Sequence, residues 1–188
     1  MGLDMYLNRM DKDIWSFKDA YLPEIFKTKP DLYEALKKYA YKSNYSTYYM
    51  AEQVAYWRKA NAIHNWFVEN VQDGEDNCKD YIVQKENLTT LRDLCKTVIE
   101  TAVMVPSKVV CGYEYKDRRQ APMLTDGYVI VNKDEISDLL PTVDGFFFGG
   151  TGYDNYYMDD IKYTYATLSE IIDKTDWDKQ CVYYSSSW

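Results

Sequence analysis

The chemistry available to this chain centres on His64, its only histidine, and Asn61, three residues before it. Both lie inside an apolar run, Val54–Val71, read as VAYWRKANAIHNWFVENV. A histidine titrates near ~6.5 when unperturbed and can act as a general base. A buried polar pair must find hydrogen-bond partners or cost a few kcal/mol per group. Its partner is either another part of the chain or a ligand, and the residues alone leave both open. Trp57 and Trp66 flank the pair and could offer a stacking face, worth roughly 1–3 kcal/mol per base. Arg58 and Lys59 supply charge beside them. No nucleophile or metal cluster accompanies His64, so no residue is assigned a catalytic role.

A second stretch, Gly145–Gly152, reads GFFFGGTG. Glycines at this density allow unusual backbone angles and close approach by a ligand or another backbone. The stretch is neither a Walker loop nor a GxGxxG fingerprint. It is either a Phe-rich core strand ending in a turn, or a loop whose N–H groups meet an anion or a sugar. In the second case Phe148 and Gly149 would form the loop, and Thr151, Tyr153, Asn155 and Tyr156 would add contacts. Lys108, Lys116, Arg118 and Arg119 make another segment basic, which fits a solvated loop better than a phosphate site. Asp159 and Asp160 are adjacent and point in different directions on a helix, which argues against a carboxylate dyad. The four cysteines, Cys78, Cys95, Cys111 and Cys181, show no CxxC spacing, and one histidine is too few for a Cys/His zinc site. No metal and no cofactor is expected.

These residues need a scaffold, and 188 residues suit one domain with a real core. Hydrophobic residues at 46% and aromatic ones at 16% place the chain among folded proteins. Its 22 basic and 30 acidic residues give a net charge of −8, which disfavours general nucleic-acid binding. Tyrosine is over-used at 20 copies, which suits low-entropy contact surfaces and allows a homo-oligomer. The start, MGLDMYLNRM, lacks the apolar run of a signal peptide, and Tyr6 stands where a myristoylation context wants Ser or Thr. No window reaches the roughly 18 to 20 apolar residues of a membrane span. A reducing, intracellular setting is expected.

Val54–Val71 reads as one central helix of about five turns on a 3.6-residue period. Gly2–Met10 alternates as a half-buried strand, with Leu3, Met5 and Leu7 on one side. Residues 11–30 should be loops, and Asp31 should cap a helix to about Lys42, before a Tyr-rich connector, Ser43–Tyr49. Gly74 suits a left-handed helix end. Tyr81–Gln84 is a short strand, and Lys85–Val103 an amphipathic helix with Leu88, Leu91, Leu94, Cys95 and Val98 inward. Pro106–Asp126 is an excursion that could form a hairpin. An Asp126-Gly127 turn should then lead to a strand, Tyr128–Val131, and Asn132 to a helix ending at Leu140. Asp154 caps a last helix to about Asp173, and Gln180–Trp188 is a strand that could pair with Gly2–Met10. With no βαβ rhythm, the expected class is α+β: one domain, with amphipathic helices on a small, mainly antiparallel sheet.

Through the GLDMYL start (Gly2–Leu7), the YWRKAN-IHNWFV segment (Tyr56–Val68), DLCK (Asp93–Lys96), the LLP-to-GFFFG stretch (Leu139–Gly149) and Tyr153–Tyr157, the chain resembles a family of uncharacterised phage and prophage proteins. The likeness spans nearly the whole chain. Asp11–Tyr49 and Pro106–Asp126 then read as family-variable expansions. The resemblance implies a phage origin and a host-cytoplasmic setting. A phosphoglycerate-kinase label that some members carry does not transfer, because that enzyme's length, two-domain layout and nucleotide loop are missing here. The leading expectation is a phage accessory protein that binds a small polar ligand without turnover. Its ligand class would be a nucleotide-derived immune signal of the host, held out of circulation. A second reading is a protein-binding inhibitor of a host defence or replication protein, acting through the acidic, Tyr-rich surface at Tyr33–Tyr49. A nucleotide hydrolase is the third.

Overall fold

The computed structural model describes residues 2–17, 27–37, 41–42, 48–49, 51–116, 119–145 and 147–188. Tyr39, most of the Ser43–Tyr49 connector and residues 18–26 lie outside the described residues, as does part of the Tyr33–Tyr49 patch. The remainder forms an α+β domain with a mainly antiparallel sheet.

Strand β1 (Asp4–Asp11) alternates as its sequence requires, with Met5 and Leu7 fully buried and Asp4, Tyr6 and Asn8 half-buried. It pairs with the C-terminal strand β8 (Gln180–Ser187), from Asp4 opposite Ser187 to Asp11 opposite Gln180. β1 also pairs with β4 (Glu52–Arg58) and β8 with β5 (Tyr81–Val83), giving the order β4-β1-β8-β5, all antiparallel. The tyrosines and valines of β8 do not alternate because the strand is covered on both faces. Val182 and Tyr184 enter the main core, while Cys181 and Tyr183 join Met10, Ile14 and Leu36 in a smaller cluster. Leu36 closes α1 (Pro30–Leu36), whose first turn holds Asp31 without a side-chain cap. Between α1 and β4 lies a two-stranded pairing of β2 (Tyr41–Lys42) with β3 (Tyr48–Tyr49).

The main core lies between the sheet and three helices: α2 (Asn61–Val71), α3 (Lys85–Thr101) and α5 (Asn155–Lys174). The expected helix over Val54–Val71 is therefore two elements. Its first part is β4, in which Ala55 and Trp57 are buried and Tyr56 and Arg58 exposed, a period of two. Four residues of alternation inside a longer apolar run fit either period, and pairing with β1 decides it. The break falls at Lys59, whose φ is 63° in the left-handed region. Gly74 ends the following turn at φ 79°, as expected.

The excursion after α3 is a hairpin, longer than the sequence suggested. β6 (Met104–Lys116) and β7 (Arg119–Ile130) form a separate two-stranded ribbon. Asp126-Gly127 is not a turn; it continues β7. A Cβ on Gly127 would lie 2.5 Å from Asn155 Oδ1 and 2.6 Å from Val109 Cγ2, so glycine is needed for packing. Asn132 stands at the start of α4 (Lys133–Leu139), yet its side chain is used as a brace. It accepts from Val103 N–H (2.9 Å) and donates to the Thr101 carbonyl (3.1 Å), fixing the end of α3. Asp154 does cap α5, accepting from Tyr156 and Tyr157 N–H at 2.9 and 3.3 Å. No helix among the described residues is long and apolar enough to cross a membrane.

Candidate functional site

Where β4 turns into α2, the chain lines an open cavity of about 950 Å³. Its walls come from the Arg58–Ile63 corner, the glycine-rich loop, the start of α5 and the middle of the ribbon. The corner is positively charged by Arg58 and Lys59. Ala60 occupies the cap position of α2, and no side chain caps that helix. The Asn61 N–H donates to the Lys59 carbonyl at 2.9 Å, so the N–H groups of Ala62 and Ile63 and the positive end of the helix dipole remain on this side of the wall.

Asn61 binds the glycine loop to this corner. Its amide donates to the carbonyls of Phe148 (3.1 Å) and Gly150 (2.8 Å), and its Oδ1 accepts from Val143 N–H (3.0 Å). Gly149 is required at the seam. Its φ is +92°, and a Cβ there would stand 3.0 Å from both Lys59 Cβ and the Lys59 carbonyl oxygen. The loop is further held by Leu3 N–H donating to the Phe147 carbonyl at 3.1 Å. Thr142 completes it, its N–H donating to Tyr153 Oη and its hydroxyl to the Thr151 carbonyl, each at 3.1 Å.

Of the twelve residues singled out in the sequence, six line the cavity: Arg58, Lys59, Asn61, Gly149, Thr151 and Tyr156. The other six do not. Trp57 is buried in the core with its indole N–H on Thr164 Oγ1 at 2.9 Å, and Trp66 is buried against Phe67. Neither can stack on a ligand. Phe148 packs edge-on against His64, Tyr153 receives Thr142, and Asn155 accepts from Tyr128 N–H at 3.2 Å. The exposed rings on the wall are Tyr156 and Tyr113 instead.

His64 is a core residue, 1% exposed. Its Nδ1 lies 2.7 Å from Tyr184 Oη and its Nε2 lies 3.1 Å from Asp76 Oδ2. The carboxylate can only accept, so Nε2 donates to Asp76, and in the neutral imidazole Nδ1 accepts from the tyrosine hydroxyl. Tyr184 stacks on Phe67 with ring centres 4.1 Å apart, and its burial pushes its hydroxyl well above the ordinary tyrosine range. Asp76 in turn accepts from the Trp188 indole at 3.0 Å. Every polar atom of this ring is paired inside the protein.

Three carboxyl groups of the wall are not among the residues singled out in the sequence as ligand-binding: Asp154, Asp159 and Asp160. Asp159 and Asp160 do differ in exposure, as their adjacency implies, yet both reach the cavity. Burial, followed by the like charges of Asp159 and Asp154, pushes the Asp160 carboxyl from 3.8 up to about 7. A signal existed: residue 160 stands one turn before Thr164, beside the Met158, Ile161, Leu168 stripe, where a carboxyl is partly desolvated. Among the described residues no group of three or more His, Cys, Asp or Glu is placed to hold a metal ion, and the four cysteines are free thiols. Comparison with protein-family models, with curated proteins and with solved structures finds no match to this chain.

Proposed function

We propose that the chain binds a small anionic ligand of the nucleotide class in this cavity and holds it without turnover. The observation that carries the reading is the corner at Arg58–Ile63. Two cationic side chains, an uncapped helix start and a glycine-rich loop meet on one wall of a cavity large enough for a nucleotide. Helix starts of this kind accept phosphates through backbone N–H groups and the dipole. Tyr156 and Tyr113 supply the aromatic faces that the buried tryptophans cannot. The phage-type resemblance supports the biological setting: a host immune signal built from nucleotides, sequestered in the host cytoplasm.

Thermal unfolding with a panel of mononucleotides and cyclic nucleotides tests it. A ligand at 100 times its Kd stabilises by about 2.7 kcal/mol. At roughly 2–4 °C per kcal/mol for a chain of this size, that is a rise of roughly 5–10 °C in Tm. The rise should disappear in an Arg58→Ala, Lys59→Ala double variant. A flat Tm across the whole panel would remove the proposal.

One observation favours the protein-binding reading as a second. On the β6–β7 ribbon, Tyr113, Tyr115, Leu124 and Tyr128 are 50–78% exposed, so a partner there would bury several large side chains. Recovery of a stoichiometric host protein on the immobilised chain, lost on Tyr115→Ser with Leu124→Ser, would support that reading. A small molecule released from the purified protein would support the first.

A further inference from the structure

α5 brings three carboxyl groups to the cavity wall, and they are not equivalent. Asp154 is committed to capping, through Tyr156 and Tyr157 N–H. Asp159 is exposed to solvent. Asp160 is half-buried, and its carboxyl has no hydrogen bond or ion pair among the described residues; only its backbone carbonyl is used, by Thr164 Oγ1 at 2.7 Å. A desolvated, unpaired carboxyl weakens the fold that carries it. Such groups in clefts cluster at binding sites, where the missing partner comes from the ligand.

The charged and titratable groups around this wall come from three elements. α5 itself contributes Asp154, Asp159, Tyr156 and Tyr157, the β4–α2 corner Arg58 and Lys59, and the ribbon Cys111 and Tyr113. The glycine-rich loop, Gly145–Gly152, contributes none. The corner's two cations make no ion pair with Asp160, so the cavity offers unlike chemistry in different parts of its wall. Arg58, Lys59 and the start of α2 suit an anion. Asp160 suits hydrogen-bond donors.

We propose that the cavity selects a guanine-type nucleotide, with the Asp160 carboxylate accepting the ring N–H and the neighbouring exocyclic amino group of the base. The phosphate then takes the Arg58–Lys59 corner. This rests on the nucleotide reading above and adds the identity of the base. An ionised carboxylate has two acceptor oxygens, matched by two parallel donors in bidentate pairing. Adenine presents a single amino donor next to an acceptor nitrogen, which would face a carboxylate oxygen unfavourably. Tyr113 and Tyr156, 59% and 48% exposed on the same wall, give the purine a face to stack on.

The test is calorimetric titration of the full chain with guanosine, inosine and adenosine monophosphates at pH 6, 7 and 8. Donor pairing requires ionised Asp160, whose burial holds its carboxyl at about 7 in the free protein. Guanosine monophosphate binding should therefore tighten by about tenfold from pH 6 to 8. The phosphate's own second ionisation, near pH ~6, strengthens all three ligands alike, so the same titrations of the Asp160→Asn variant set the baseline. Inosine monophosphate, which keeps the ring N–H and lacks the amino group, should bind more weakly than the guanosine form. Asp160→Asn should keep a cooperative melting transition, lose the extra pH dependence and lose the preference for guanosine over adenosine. Guanosine binding with the same pH dependence in the parent and in Asp160→Asn, or that survives Asp160→Asn unchanged, overturns the role of Asp160 and leaves nucleotide binding standing. Failure of all three ligands to bind at any pH overturns both.

Discussion

The two ends of α2 use the same kinds of residue in opposite ways. At the His64–Val68 end every polar atom meets a protein partner: the imidazole bridges Tyr184 and Asp76, and Phe67 stacks on Tyr184. At the Arg58–Ile63 end the Arg58 and Lys59 side chains are left toward open space, while Asn61 secures the glycine loop. One turn of helix separates a satisfied core from an unsatisfied wall. Burial of a polar residue therefore does not itself mark a site. What distinguishes the wall is how much donor and charge capacity remains after the protein's own bonds are made.

The core end gives the largest expected effect. His64→Ala removes the partner of a buried hydroxyl and of a half-buried carboxylate together, and should destabilise the chain by about 2–3 kcal/mol. Ligand binding by the folded fraction should be unchanged, because the ring does not line the cavity. Urea unfolding paired with calorimetric titration separates the two quantities. Weaker binding at unchanged stability would merge the two ends into one site.

Much of this arrangement was legible from sequence. β1 and its pairing with β8, the α3 stripe, the Asp154 cap and the α+β class all follow from local period and capping chemistry. The β4–α2 break was not, because Val54–Arg58 is short enough to satisfy both periods and only the open edge of β1 selects the strand. Lys59 carries no sequence sign of its left-handed backbone, which glycine or asparagine would have advertised. The wall was half legible. Glycines and cations could be recognised by type, whereas the core placement of Trp57 depends on Thr164 of α5, 107 residues further along the chain. Gly127 shows the same limit: it looks like a turn glycine, and what it avoids is the Asn155 side chain.

An intermediate effect, of opposite sign, is expected at the wall. The folded state holds the Asp160 proton up to about 7, against 3.8 ordinarily, so it binds that proton more tightly than the unfolded chain does. The stabilisation from this group is full below about pH 4, declines as pH rises, and is gone above about pH 7. Asp160→Asn removes the dependence. At pH 8 the variant should be more stable than the parent by about 1–2 kcal/mol, the partial exposure of the group limiting the gain. At pH 4 the two should match. Chemical unfolding at both pH values checks this, and a variant less stable at pH 8 would mean that the carboxylate has a structural partner after all.

The smallest effect tests the corner itself. Lys59 holds φ at 63°, a conformation that costs an ordinary residue about 1–2 kcal/mol and glycine almost nothing. Glycine also has more freedom to lose on folding, by roughly 0.5–1 kcal/mol. Lys59→Gly should therefore leave a net gain of about 0.5 kcal/mol, and Lys59→Ala, which keeps the strain, should show none. Both remove the same ammonium group, so both should weaken an anionic ligand by a similar factor. The pair separates backbone strain from charge at one position. Equal stability changes for the two variants would mean that the left-handed backbone costs the chain nothing. Unequal binding losses would mean that the angle of the corner, rather than its charge, is what the ligand requires.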